Sequence, residues 1–170
     1  MALTTTIGGA SSDSYGTLAA YEAYVVANID ATFNGHGHDS THELNLRRAA
    51  QYLDRNYQFA GYKQYETQAR SWPRLTNILV DGWPIDGDTI PQDIIYAQFE
   101  LAYAFETDSI DPFATITTGT VKRSKSKAGP VEAETEYMTG RDTPRMVAVE
   151  GLLRPYILGG ATGQVRMGRG

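Results

Sequence analysis

No cysteine occurs in the 170 residues of this chain, which excludes a disulfide framework and a thiolate metal site. Nor is there any run approaching the ~18 apolar residues of a membrane helix. The opening stretch MALTTTIGGASSDSYG has no basic region followed by an apolar one, which argues against a signal peptide. Positive charge is in deficit, with 15 Lys and Arg against 20 Asp and Glu and a net charge of −5. A surface that grips nucleic acid on every side is therefore excluded, and any basic function has to be local. G-x-S-x-G, a phosphate-binding Gly-Lys-Ser/Thr loop and His-Glu-x-x-His are all absent, so enzymes are the least favoured class. What is present is 41% hydrophobic and 21% charged residues, the composition of one globular domain long enough to bury a core.

Ser71 to Glu106 reads SWPRLTNILVDGWPIDGDTIPQDIIYAQFELAYAFE and is the most informative segment. Trp72-Pro73 and Trp83-Pro84 hold the backbone extended or turned at each tryptophan. Asp86-Gly87-Asp88 marks a turn, and Pro91 suits the opening of a helix because its missing N–H would be unsatisfied there. The connection over residues 58–90 is long for one without regular structure, which points to a packed loop or a binding surface. Trp72, Pro73, Trp83 and Pro91 are the expected structural residues, at least one tryptophan serving as a wedge on the helices.

Helical periodicity predicts three helices ahead of residue 110. The first carries Leu18, Tyr21, Val25 and Ile29, starts near Tyr15 and ends at the Asn34-Gly35 turn. The second begins at Ser40, which has capping-box spacing to Glu43, and presents Leu46, Ala49, Ala50, Leu53 and Tyr57 on one face. The third follows Pro91 with a stripe of Ile94, Ile95, Gln98, Leu101, Ala102 and Phe105. A short fourth helix is predicted from Pro144 to Leu153. Residues 1–14 and 159–170 are Thr/Ser/Gly-rich and read as arms flanking a 15–158 domain.

Between the last two helices the period changes to two. Lys122, Arg123, Lys125 and Lys127 form a basic run, and Glu132, Glu134 and Glu136 alternate on the return, so a β-hairpin is expected over about 119–138. A turn at Ala128-Gly129 would set Lys125 opposite Glu132 and Arg123 opposite Glu134, pairs worth a few tenths to ~1 kcal/mol each. The basic run is the best nucleic-acid candidate, with 11 tyrosines and 2 tryptophans to supply stacking surfaces. Against this, the glutamates would offset its field, and tyrosines at helical spacing more often pack in a core or interface. A charged hairpin is at least as well suited to reaching a neighbouring subunit.

Two clusters invite a metal or acid–base reading. His36, His38 and His42, with Asp39 and Glu43, contain zinc-ligating groups at a spacing that matches no standard motif, and a solvated turn before a helix explains them more simply. Asp81, Asp86, Asp88 and Asp93 lack the ligand pattern of a calcium loop, and turn formation and helix N-terminal charge account for them. No catalytic residue, metal or cofactor is expected.

Taken in order, SYGTLAAYEAYV, LRRAAQYLDRNY, SWPR, DGWPID, IPQDIIYAQFELA, VKRSKSKAGPVEAETEY and LLRPYI resemble the head-to-tail connector, or adaptor, proteins of long-tailed bacteriophages. The branch concerned is the one often labelled DnaT-like single-stranded-DNA-binding. The resemblance covers roughly Tyr15 to Ile157. It implies a mainly α fold, a small bundle of three to four helices with a projecting β-hairpin and extended N- and C-terminal arms. It also implies a structural virion protein: a ring of twelve copies under the portal that extends the channel for double-stranded DNA and offers a platform to the next neck, stopper or tail protein. Such a protein is made in the host cytoplasm, is located in the virion neck and needs no membrane. On this reading Gly159, Gly160, Gln164, Val165, Arg166, Met167 and Arg169 would contact the portal. Lys122, Arg123, Lys125, Lys127, Glu132, Glu134 and Glu136 would join subunits. The alternative carried by the branch label is a single-stranded-DNA-binding protein, in which the basic strand and aromatics contact the strand.

Overall fold

A computed structural model of the chain describes residues 2–35, 38–107, 120–127, 132–138 and 144–158. Its centre is α3 (Gln92–Thr107), a helix apolar on almost every side, with Ile94, Ala97, Phe99, Leu101, Ala102, Ala104 and Phe105 buried. Such a helix needs neighbours all round. α2 (Asp39–Asn56) supplies Leu46, Ala49, Ala50 and Leu53, α4 (Pro144–Leu153) supplies Val149 and Leu153, and α1 (Leu18–Asn28) supplies Tyr21 and Val25. Among the described residues the fold is thus four helices around one core, accompanied by small antiparallel hairpins. The mainly α expectation holds.

Helix ends differ from the periodicity reading where local hydrogen bonding decides them. α1 begins at Leu18 because the Thr17 hydroxyl accepts from the Ala20 N–H as its N-cap. It ends at Asn28, well before Asn34-Gly35, with the Ile29 N–H closing on the Val25 carbonyl. α2 does not use the expected Ser40–Glu43 capping box. His38 is its N-cap, without a side-chain cap bond, and Ser40 lies inside the first turn. Pro91 stands just before α3 and its carbonyl accepts from the Ile94 N–H at 3.0 Å.

Residues 2–16 are tied to the body by their own polar groups. The Thr4 N–H donates to Asp13 Oδ1 at 2.7 Å, and Asp13 Oδ2 accepts from Arg47 Nε at 2.7 Å. Arg70 Nε donates to the Ser12 carbonyl, and the Ala69 N–H to that of Gly9. The decisive contact comes from Gln98, fully buried in the apolar stripe of α3. Its Oε1 accepts from the N–H groups of Tyr15 and Gly16 at 3.1 and 3.0 Å, and its Nε2 donates to Ser14 Oγ and the Leu46 carbonyl at 2.6 and 2.8 Å. One amide thereby joins the N-terminal segment, α2 and α3. Gly16 is required at this crossing, since a Cβ there would lie 2.5 Å from the Phe99 ring.

The longer hairpin pairs β5 (Thr120–Lys127) with β6 (Glu132–Met138), within the expected 119–138. Its register is two residues away from the expected one. Lys127 stands opposite Glu132, Lys125 opposite Glu134 and Arg123 opposite Glu136. The turn expected at Ala128-Gly129 lies outside the described residues. A bulge falls between Val121 and Arg123, leaving Lys122 as the extra residue of β5.

Candidate nucleic-acid interface

Residues 58–90 form no helix, yet they are held from within. Arg74 is the clamp. Its Nε donates to the Ala60 carbonyl at 2.9 Å, Nη1 to that of Ser71 at 3.1 Å, and Nη2 to those of Phe59 and Gly61 at 3.2 and 2.6 Å. Burial lowers the Arg74 guanidinium pKa from its ordinary value. Gln68, also buried, accepts from the Tyr65 N–H at 2.9 Å and donates to the carbonyls of Arg70 and Pro73 at 2.9 and 3.0 Å. Around these anchors β1 (Tyr62–Lys63) pairs with β2 (Arg74–Leu75), and β3 (Leu79–Val80) pairs with β4 (Trp83–Pro84).

The two tryptophans, alike in sequence context, separate completely. Trp72 is 1% exposed and meets Phe59 and Tyr156 edge-on, each with ring centroids 5.7 Å away. Its neighbour Tyr156 donates to Asp93 Oδ2 at 2.8 Å, and burial followed by that bond pushes the phenol pKa well up. Trp83 is 77% exposed at the end of the β3–β4 hairpin. Asp81 and Gly82, with φ of 52° and 86°, form the two-residue turn whose twist matches the strands. Tyr62 on β1 is 67% exposed and Leu79 on β3 62%. These three large side chains thus stand in solvent on a segment held from within.

The acidic and histidine clusters resolve into structural roles. The Asp86 carboxylate accepts from the Asp88 N–H, and Asp88 accepts from Tyr65 Oη at 2.9 Å and Gln64 Nε2 at 3.0 Å. Asp93 is occupied by Tyr156, and Asp81 occupies the turn. His42 is fully buried, its ring nitrogens 3.4 Å from Glu22 Oε1 and 3.3 Å from Glu106 Oε1, and so it ties α1, α2 and α3 together. His38 stands at the N-cap position of α2 without a side-chain cap bond, and His36 lies outside the described residues. Among the described residues no group of three or more metal-ligating side chains could hold an ion.

In β5–β6 the backbone register sets Arg123, Lys125 and Lys127 opposite Glu136, Glu134 and Glu132, with Lys122 at the bulge. The tail residues Gly159, Gly160, Gln164, Val165, Arg166, Met167 and Arg169 lie outside the described residues. Periodicity had no means of finding the exposed Tyr62. A tyrosine two residues before a turn of polar residues looks like any other loop tyrosine.

The described surface is braced from within and carries exposed aromatic rings at Tyr62 and Trp83. The chain is a member of the family described as "Putative DnaT-like ssDNA binding protein", which matches it over residues 1–170. No curated protein and no solved structure matches it significantly. That family is described by single-strand binding and not by a catalytic activity. The match also corrects the expectation drawn from bacteriophages. Head-tail connector or adaptor, portal-binding neck protein, dodecamer, structural protein of the virion and participant in viral genome ejection are all overturned, because the matching family is described by single-strand binding and not by a place in a virion. The virion location falls with them. No helix among the described residues is long and apolar enough to cross a membrane.

Proposed function

We propose that the chain binds single-stranded DNA without sequence specificity, acting as a non-catalytic binder. The observation that carries this reading is the family match over residues 1–170. The exposed Trp83 ring supports it, because base–aromatic stacking tolerates every base and needs an unpaired one. In this reading residues 15–158 are the binding domain, residues 159–170 an arm, and Lys122, Arg123, Lys125 and Lys127 the source of phosphate contacts. Since three of those four residues stand opposite glutamates in the backbone register, few phosphates are neutralised in this reading. The logarithm of affinity then falls with the logarithm of salt by only about 0.7 to 1.4, the value for one or two phosphates of a single strand.

Trp72 is buried and Trp83 exposed, so a change of tryptophan emission on adding an oligothymidylate reports on Trp83. The expected result is saturable quenching that disappears in Trp83→Phe, with the DNA followed independently by anisotropy of a label. Absence of any anisotropy change on mixing the protein with the oligonucleotide would overturn the proposal.

A further inference from the structure

We infer that the surface cavity beside Tyr62 is a pocket for one unpaired base, an inference that rests on the single-strand reading above and adds to it a site. The cavity holds about 210 Å³ and is lined by Gly61, Tyr62, Leu75, Thr76 and Asn77. That is below the ~300 Å³ at which drug-sized sites begin, so it fits a single planar ring. Tyr62 and Leu75 are cross-strand partners in β1–β2 and therefore share a face. Both are exposed, at 67% and 38%, and together they offer an aromatic plane and an aliphatic edge to a flat ligand.

The polar end of the pocket suits a base edge. Asn77 is exposed, and its carboxamide carries both a donor and an acceptor, which is what the edge of an unpaired base requires. Thr76 Oγ1 is already engaged by the Ile78 N–H at 3.1 Å, which fixes the turn that presents Asn77. Arg74 Nη2 donates to the carbonyl of the lining residue Gly61 at 2.6 Å, which fixes that wall of the pocket. Gly61, at φ 75°, lets the two backbones that wall the pocket approach, because a Cβ there would lie 2.0 Å from the Leu75 carbonyl oxygen. A duplex cannot use the pocket, its bases being stacked and paired.

The test uses the full chain and labelled oligothymidylate and oligodeoxyadenylate, read by anisotropy. Stacking is worth about 1–3 kcal/mol per base, so Tyr62→Ala is expected to weaken both by roughly 5- to 150-fold. Asn77→Ala should change the ratio between the two oligonucleotides. Leu44→Ser, on the exposed face of α2, is the control expected to bind as the parent does. If the parent binds single strands and Tyr62→Ala binds equally well, the pocket is overturned while the function stands. If the parent binds neither oligonucleotide, the single-strand reading itself fails. Concentration-dependent self-association in light scattering that Tyr62→Ala abolishes, with DNA affinity unchanged, would assign the patch to a second copy and overturn the inference.

Discussion

Replacing Gln98 by leucine probes the contact on which the N-terminal segment depends. The substitution roughly conserves volume, so little cavity is created. It removes the acceptor of two buried backbone donors, the N–H groups of Tyr15 and Gly16. Each unsatisfied donor costs about 1–3 kcal/mol, giving about 2–6 kcal/mol in all. Ser14 Oγ keeps its bond to the Gly16 carbonyl at 2.7 Å, and the Leu46 carbonyl retains its place in the α2 ladder, so these partners add little. Burying leucine in place of an amide returns part of the loss, about 1 kcal/mol. The expected net effect of Gln98→Leu is therefore about 3 kcal/mol, a large share of the ~5–15 kcal/mol that stabilises a domain. Urea unfolding should show a lower midpoint at unchanged slope. Limited proteolysis should reach residues 2–16 before the body. A loss under about 1 kcal/mol would refute the reasoning, since it would mean that water satisfies both donors at no cost.

Other outcomes follow from the same packing. Trp72→Ala should destabilise the chain by ~3 kcal/mol or more, as large-to-small core changes do, whereas Trp83→Ala should alter unfolding by less than about 0.5 kcal/mol. Equal effects in urea unfolding would contradict their opposite burial. Gly61→Ala forces a side chain into positive φ and against the Leu75 carbonyl, and should cost more than about 1 kcal/mol and release β1 from β2 in hydrogen exchange. The phenols of Tyr15, Tyr24 and Tyr156 are all raised, by burial first and then by Asp54, Glu100 and Asp93 respectively. The unfolded chain releases these protons near pH 10 and the folded chain does not, so their contribution is complete below about pH 10 and is lost as pH rises beyond it. Tyrosinate absorbance should accordingly rise together with loss of ellipticity, and Tyr156→Phe should flatten the dependence. Free titration of all tyrosines in the folded state would contradict this.

Helices were legible wherever the apolar spacing was long. The α3 stripe and the Pro144–Leu153 helix match their predicted bounds closely because periodicity and a flanking proline agreed. The hairpin's span was legible from its alternation, but its register was not, because register depends on the length of a connection that Ala128-Gly129 only suggested. Trp72 and Trp83 could not be told apart, since each precedes proline. What separates them is distant: Phe59 and Tyr156 close over one, and the Asp81-Gly82 turn lifts the other into solvent. Gln98 and His42 carried a signal that was readable in principle. Each falls on the apolar face of its helix, where a polar side chain has to find buried partners. The Tyr62 pocket carried none, because it is made by pairing two-residue strands twelve residues apart.

The most direct test of the central claim is equilibrium binding of the full chain to a labelled oligothymidylate, with an unlabelled duplex of equal length as competitor, across a salt series. The account predicts saturable binding of the single strand, weak competition by the duplex and a shallow salt dependence. No binding, or a duplex that competes as well as the single strand with affinity collapsing as salt rises, would contradict it.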